Sequence, residues 1–410
     1  MDESCDVLVV GGGVAGTAAA VASARSGART VLVEKEAYLG GTGYAGMFQY
    51  ICGLYLNGDM APTETLNTGV TREITERLRQ VAPHRTIKKI GQVYVLPYTR
   101  NDLQSVLIAL CSAEKDLAVL RGHAVVSVTM ENNRIRDTAV EGLNGTPVIA
   151  PAMVIDCSGG GSIAAMAGAP FELTPKAERQ LAGFVVHVKG LRDVDDNLSL
   201  KVPYHLAQAV KRGLFAPAVK LTTFSPGDAA DEGFCKMSIF SADEETGTEK
   251  ARRDANAAIR YLASVLPAFE GAVIADTSLK ALEREGRRVL GEYMLTKEDV
   301  LSARKFPDGV VKNAWPIELW DRTKGTIYKY VPRGEYYEIP FRCLKVRGTT
   351  NLLTAGRCIS VTHEALGSTR VMGACMALGE QAGKAAAYRV RNGKYPDNKK
   401  GGGISANIAR

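Results

Sequence analysis

The spacing of apolar and polar positions changes twice near the start of the chain. Asp6 to Val10 (DVLVV) is a short apolar run, Val14 to about Ser26 is Ala-rich with helical spacing, and Thr30 to Val33 (TVLV) is apolar again and ends on Glu34. This predicts a strand–helix–strand unit. From Leu39 to Gly69 the pattern dissolves into Gly, Thr, Asn and aromatics, which predicts a long loop with short helical pieces. Helical spacing returns over 71–80 and 101–112. Short runs at 119–120, 124–130, 134–141 and 147–150, separated by Glu131-Asn132-Asn133 and Leu143-Asn144-Gly145, predict an antiparallel meander. It feeds the apolar run Met153 to Ile155, which ends in Asp156-Cys157-Ser158-Gly159-Gly160-Gly161 and a small-residue helix.

Residues 172–340 change character. Helices are predicted at 203–213, 248–265 and 278–288, and strands near 183–189, 234–240 and 326–341, so this stretch reads as a separate inserted α+β domain. The end of the chain returns to the first style. Asn351 to Ala355 (NLLTA) predicts a strand, Gly356-Arg357-Cys358 a turn, and 371–390 a long helix of small residues. The class is therefore α/β, with residues 1–171 and 341–410 forming one discontinuous domain around the insertion.

Composition narrows the function. With 46% hydrophobic and 23% charged residues, the 410-residue chain is neither disordered nor a disulfide scaffold. The net charge of +7 all arises after residue 340, where twelve Lys and Arg meet three Asp and Glu, so it is no diffuse nucleic-acid surface. Eight scattered cysteines without a CxxC pair read as buried thiols in a reducing cytoplasm. The acidic start, Met1-Asp2-Glu3, lacks the positive region of an export signal. No apolar run approaches the ~18 residues of a membrane helix. The expectation is a cytoplasmic protein without membrane insertion.

Gly11, Gly13 and Gly16 form GxGxxG between the first strand and helix, with Glu34 closing the second strand. The first glycine makes the tight turn, the second lets backbone approach a pyrophosphate, and the third packs helix on strand; Val14 and Ala15 open the helix N-terminus toward the phosphates. Glu34 can accept from ribose hydroxyls. In strand–helix–strand context this signals dinucleotide binding, without separating NAD from FAD.

The ending is more specific. Asn351-Leu352-Leu353-Thr354-Ala355-Gly356-Arg357-Cys358-Ile359-Ser360, then Thr362-His363-Glu364-Ala365-Leu366-Gly367-Ser368 and Arg370-Val371-Met372, resembles the broad FAD-dependent oxidoreductase family. That family has a glutathione-reductase-type nucleotide fold and a hydroxybenzoate-hydroxylase-like topology. Glu34-Lys35 with Leu39-Gly40-Gly41-Thr42, and Val154 to Ala169, share the resemblance. It implies a Rossmann-like FAD-binding domain with an inserted β-meander and a substrate or cap domain at 172–340. It further implies that Gly40, Gly41 and Thr42 pass ribose and pyrophosphate, that Val125 meets adenine, and that Ser158 and Gly159 form a second glycine loop. Gly356 and Arg357 would follow pyrophosphate and ribitol, while Ser368, Arg370, Val371 and Met372 would lead into a helix whose positive end faces the flavin. Many relatives carry Asp after the glycine where Arg357 stands; Arg357 can only donate. No histidine after the second strand resembles the flavin-linking site of succinate dehydrogenases, which implies non-covalent FAD.

His363, beside Glu364 before that helix, is the first candidate for proton transfer. Arg342, where the insertion returns, could grip a substrate carboxylate bidentately. Tyr337 belongs with Tyr328, Tyr330 and Tyr336 around Pro332-Arg333-Gly334-Glu335, a predicted hairpin that could roof the flavin. His187, Tyr204 and His205 are further pocket candidates. These residues predict an oxidoreductase passing hydride between a small, anionic organic substrate and FAD. A flavin monooxygenase is the alternative, as is an electron-transfer subunit docking a redox partner through its basic end; a homo-oligomer is the other partner expected.

Overall fold

The computed structural model describes residues 3–397 except 143, 144, 146, 196 and 241–243. The turn at Leu143-Asn144 lies outside the described residues, as do Asp243, which the sequence places in an acidic cluster expected to be a solvated face, and the tail from Asn398, whose Lys- and Gly-rich sequence is expected to be flexible. Strand Glu3–Val10 is followed by helix Val14–Arg25 and strand Thr30–Glu34, as the periodicity predicts. A seven-stranded sheet runs in the order Leu117–Arg121, Thr30–Glu34, Glu3–Val10, Val148–Asp156, Arg134–Glu141, Ala124–Glu131, and Leu352–Thr354 also pairs with Val148–Asp156. Five of these strands are parallel, pairing Val10 with both Val33 and Asp156, and Thr354 with Asp156. The C-terminal ends of the strands closing on Val10, Glu34, Asp156 and Thr354 therefore share one edge, where an open α/β sheet places its ligand.

The meander differs from the expectation in two ways. Leu117–Arg121 is a parallel strand beside Thr30–Glu34 and no part of the meander. The runs expected at 147–150 and 153–155 are one nine-residue strand, Val148–Asp156, that passes through Pro151.

Two cores divide the chain. Helix Val14–Arg25 packs along helix Met372–Asn392, and a Cβ added at Gly379 or Gly383 would overlap the carbonyl oxygens of Ala15 or Ala19. Close packing alone thus requires the small residues of the last helix. Residues 182–281 build a second core on an antiparallel sheet in the order Thr223–Pro226, Glu232–Ile239, Ala182–Lys189, Val273–Thr277, with helices Leu198–Lys211 and Glu244–Val265. Residues 289–340, expected in the same inserted unit, instead send Leu295, Val311, Ile317 and Ile339 into the first core or its neighbours.

The helix expected at 278–288 does not form. Ser278 accepts from Val185 N–H at 2.8 Å and donates to Gly46 O at 3.1 Å, while Gly183 and Leu282 form a bridge, so the segment is tied across both units as an irregular crossing. Nor does 326–341 form one hairpin. Gly325–Lys329 pairs with Ile317–Asp321, and Tyr337–Pro340 pairs with Gly309–Asn313, which separates the tyrosines.

Candidate active site

The first glycine loop is built as the motif requires. Gly11 has φ +104°, and a Cβ there would lie 2.5 Å from Cys157 O; at Gly16 it would overlap Gly11 O. At Gly13 a Cβ would meet only Gly41 Cα, at 3.9 Å, so this backbone is open to a phosphate. Gly40 N–H donates to Gly12 O at 2.8 Å, which joins the Gly40-Gly41-Thr42 loop to the first. Glu34 is buried and accepts from Gly12 N–H at 2.5 Å and Glu36 N–H at 2.8 Å. Each carboxylate oxygen keeps a lone pair for a hydroxyl. Val14 and Ala15 are buried at the helix start, and Lys35 is exposed. Val125 is buried with Val33 and Ile135.

Sequence reasoning gave no role to Asp156. Its fully buried carboxylate accepts from Ser158 N–H and Oγ–H at 3.0 and 2.6 Å, and from Ile163 and Ala164 N–H at 2.9 and 3.0 Å. This fixes the Ser158-Gly159 loop. A strand ending in Asp before a glycine run was the available signal. Arg357 Nε donates to Gly159 O at 2.9 Å and its Nη1 to Glu283 O. It clamps the glycine loop to the crossing segment, and burial lowers its guanidinium pKa. The open Gly13 backbone and these converging loops fit FAD; the 11–16, 34, 40–42, 158–159 and 356–357 positions would hold its ribose, pyrophosphate and ribitol.

A connected polar chain lies beside this cradle. His363 Nδ1 is 2.9 Å from Glu285 Oε2 and 3.2 Å from Thr174 Oγ1. Glu285 also accepts from Gln180 N–H at 2.5 Å. Burial opposes its ionisation, but the His363 and Gln180 hydrogen bonds prevail and its pKa is lowered. Gln180 Oε1 accepts from Arg370 Nη2 at 3.3 Å, and that same nitrogen donates to Glu318 O at 3.0 Å. Thus the crossing segment, the start of the inserted sheet and Arg370, in the turn between the last two helices, meet. His363 also lines a shallow cavity of about 390 Å³ with Glu172, Thr174, Glu178 and Arg288. Val371 caps the last helix and packs on Gly53, while Met372 packs on Gly43.

Other expected site residues are structural. Tyr337 is fully buried, its hydroxyl 2.8 Å from Asn313 Nδ2 and 2.6 Å from Ser368 Oγ, and burial raises its pKa. Ser368 is equally buried and donates to Trp315 O at 2.6 Å, so neither faces the cradle. Arg342 is filled bidentately by Asp308, at 2.9 and 3.1 Å. His187, on strand Ala182–Lys189, pairs with Glu232 at 3.0 Å and stacks on Phe234, whereas Tyr204 and His205 touch each other on helix Leu198–Lys211. All eight cysteines are free thiols, Cys358 and Cys375 among the buried ones.

A parallel sheet whose strand ends carry three glycine loops, overlaid by an inserted sheet, defines a dinucleotide-binding flavoenzyme class. The chain belongs to the FAD dependent oxidoreductase family, whose profile matches residues 6–399. No curated protein matches it. Among solved structures, a geranylgeranyl bacteriochlorophyll reductase-like protein from Thermoplasma acidophilum is similar, with 13% identity and a TM-score of 0.53 over 97% of this chain and 82% of that one. The flavin-dependent brominase Bmp2 aligns with 12% identity and a TM-score of 0.51 over 96% and 81%. The anhydrotetracycline hydroxylase OxyS from Streptomyces rimosus shares 12% identity and a TM-score of 0.50; this chain is 94% covered and spans 62% of that one. At these identities the likeness is one of fold. No helix among the described residues is long and apolar enough to cross a membrane.

Proposed function

We propose that this FAD-dependent oxidoreductase passes a hydride between non-covalently bound FAD and a small anionic organic substrate held under the inserted sheet. The observation that carries this reading is Arg370. It stands two residues before the last helix, next to that helix's N-cap Val371, and binds Gln180 and the Glu318 backbone, so residues outside the nucleotide cradle reach the helix that would face the flavin. FAD, when bound, supplies the two-electron acceptor or donor. The N-terminus of helix Met372–Asn392 favours negative charge at that end. His363, oriented by Glu285, can hold or release a proton at Nε2, because Nδ1 is committed to the carboxylate. Arg357 holds the second glycine loop against the crossing segment. The free thiols suit a reducing cytoplasm.

The test is anaerobic mixing of the flavin-loaded protein with a panel of small carboxylic acids and alcohols, read by loss of oxidised-flavin absorbance. Bleaching by a member of the panel supports the reading. Bleaching only by a reduced nicotinamide, with oxygen then consumed and a product hydroxylated, would replace it by monooxygenation; the similar OxyS structure is named a hydroxylase. A protein that carries no FAD and cannot be loaded defeats both.

A further inference from the structure

Lys236, Arg284 and Arg370 come from three separate parts of the chain and converge on the hairpin holding Glu318 and Trp320. Lys236 Nζ lies 4.1 Å from the Trp320 ring centroid, and Arg284 Cζ lies 4.0 Å from it. Arg284 is only 8% exposed, and its guanidinium donates to Leu181 O. The Glu318 carboxylate is the one counter-charge they share; its hydrogen bonds go to indoles, accepting from Trp320 Nε1 at 2.7 Å and Trp315 Nε1 at 3.3 Å, and, against burial, the three cations lower its pKa. Among the described residues none of the three cations lies within 4.0 Å of a carboxylate oxygen.

One buried and two half-buried cations thus face a single carboxylate, Glu318, and such an excess of positive charge is costly unless an anion completes the site. Two further donors point the same way. Gln180 Nε2 and Arg370 Nε are buried without an acceptor, and Gln180 is nine-tenths or more buried. Tyr328, opposite Glu318 in the hairpin register, is partly exposed and marks the open side. Burial, then Arg284, lowers Lys236 to about 8, as expected of an ammonium short of negative charge.

We propose that Lys236, Arg284 and Arg370 form a carboxylate-binding subsite beside the start of the last helix, which holds the substrate's anionic group. The inference deepens the proposed function and rests on it for the word substrate. The subsite itself can be tested without any turnover, because the only two tryptophans of the chain, Trp315 and Trp320, both sit in it.

The full-length protein as purified is titrated with benzoate, neutral benzamide and inorganic phosphate, read by tryptophan emission, with FAD content measured on the same samples. Benzoate is expected to bind saturably and benzamide not to bind. Lys236→Met and Arg284→Gln should each weaken benzoate by about ten-fold or more, and Lys236→Arg should restore it. Lys236→Met, which removes a poorly paired charge at a partly exposed position, should melt no lower than wild type and keep its FAD, so loss of binding there is not misfolding. Benzamide binding as tightly as benzoate, phosphate binding alone, unchanged benzoate affinity in both variants, or loss of FAD from Lys236→Met would overturn the subsite. Benzoate binding to a chain that holds no FAD would keep the subsite and defeat the oxidoreductase reading; FAD without benzoate binding would do the reverse.

Discussion

His363 Nδ1 stands 2.9 Å from Glu285 Oε2, and the Glu285 side chain is only 1% exposed. Arg288 adds a weaker contact at 3.9 Å. The carboxylate thus joins the candidate proton carrier to the crossing segment, and replacing it leaves several donors unsatisfied in a site water scarcely enters. Glu285→Gln is expected to cost about 1–3 kcal/mol of stability at pH 7, measured by urea unfolding. Because the folded-state pKa of Glu285 is lowered, its contribution is present above the ordinary carboxylate range and fades as pH falls through the folded value. The difference between wild type and variant should therefore shrink below about pH 4. A difference that grew toward acid would contradict the assignment.

The Glu34 carboxylate accepts from Gly12 N–H, inside the first glycine loop itself. If that loop and Glu34 hold the pyrophosphate and ribose as proposed, Glu34→Ala removes both an acceptor and the tie that holds the loop. FAD affinity is expected to fall about ten-fold or more, while global stability changes less, since the strand is fixed by its ladder. Fluorescence titration of flavin-stripped protein with FAD measures this; equal affinities would remove Glu34 from the site.

Gly379 faces Ala15 with no room for a methyl group. Gly379→Ala must push the last helix away from the first, and the overpacking is expected to cost about 1–3 kcal/mol. Since Ala15 opens the helix behind the glycine loop, the variant should also retain less FAD after dialysis. Gly393→Ala is a control for the methyl group itself: nothing surrounds that position, but its φ of +71° introduces local strain only. Melting temperature and flavin content together separate the two cases.

What was legible in the sequence was local. The glycine spacing of Gly11, Gly13 and Gly16 states its own turn, and the ending from Asn351 to Met372 carries a family pattern. What was hidden depends on long-range contacts. Arg284 and Glu285 sat in a stretch with helical spacing, which tertiary ties at Ser278 and Leu282 override. Lys236 and Glu318 belong to no motif, and they meet Arg370, which does, only in the fold. Arg342 shows the opposite error: an isolated arginine at a boundary suggested substrate, yet Asp308 fills its fork. With its side chain 43% exposed, the pair should contribute under about 1 kcal/mol, so Arg342→Gln is expected to leave melting and turnover nearly unchanged. A large loss of turnover would return Arg342 to the site.

Lys236 provides a pH test that needs no ligand. Burial, then Arg284, depress its ammonium to about 8, with Arg370 adding to the repulsion, while Glu318 and Cys52 pull the other way. In the unfolded chain the same group stays protonated to about 10.4. Between these values the unfolded state binds more protons than the folded one, so stability rises with pH. The Arg284 guanidinium is likewise lowered, by burial and then by Arg370, to about 9, so the comparison with Lys236→Met is what isolates the ammonium's share of the slope. Wild-type protein in a buffer without carboxylates should therefore gain stability from about pH 7.5 to 9.5 relative to Lys236→Met, in which the titrating group is gone. Saturating benzoate should flatten the difference, because a bound carboxylate restores the ammonium's hold on its proton. Urea midpoints at several pH values, with and without benzoate, measure it. If the wild-type midpoint falls relative to the variant as pH rises, Lys236 is paired in the folded state and the electrostatic picture of this cluster is wrong.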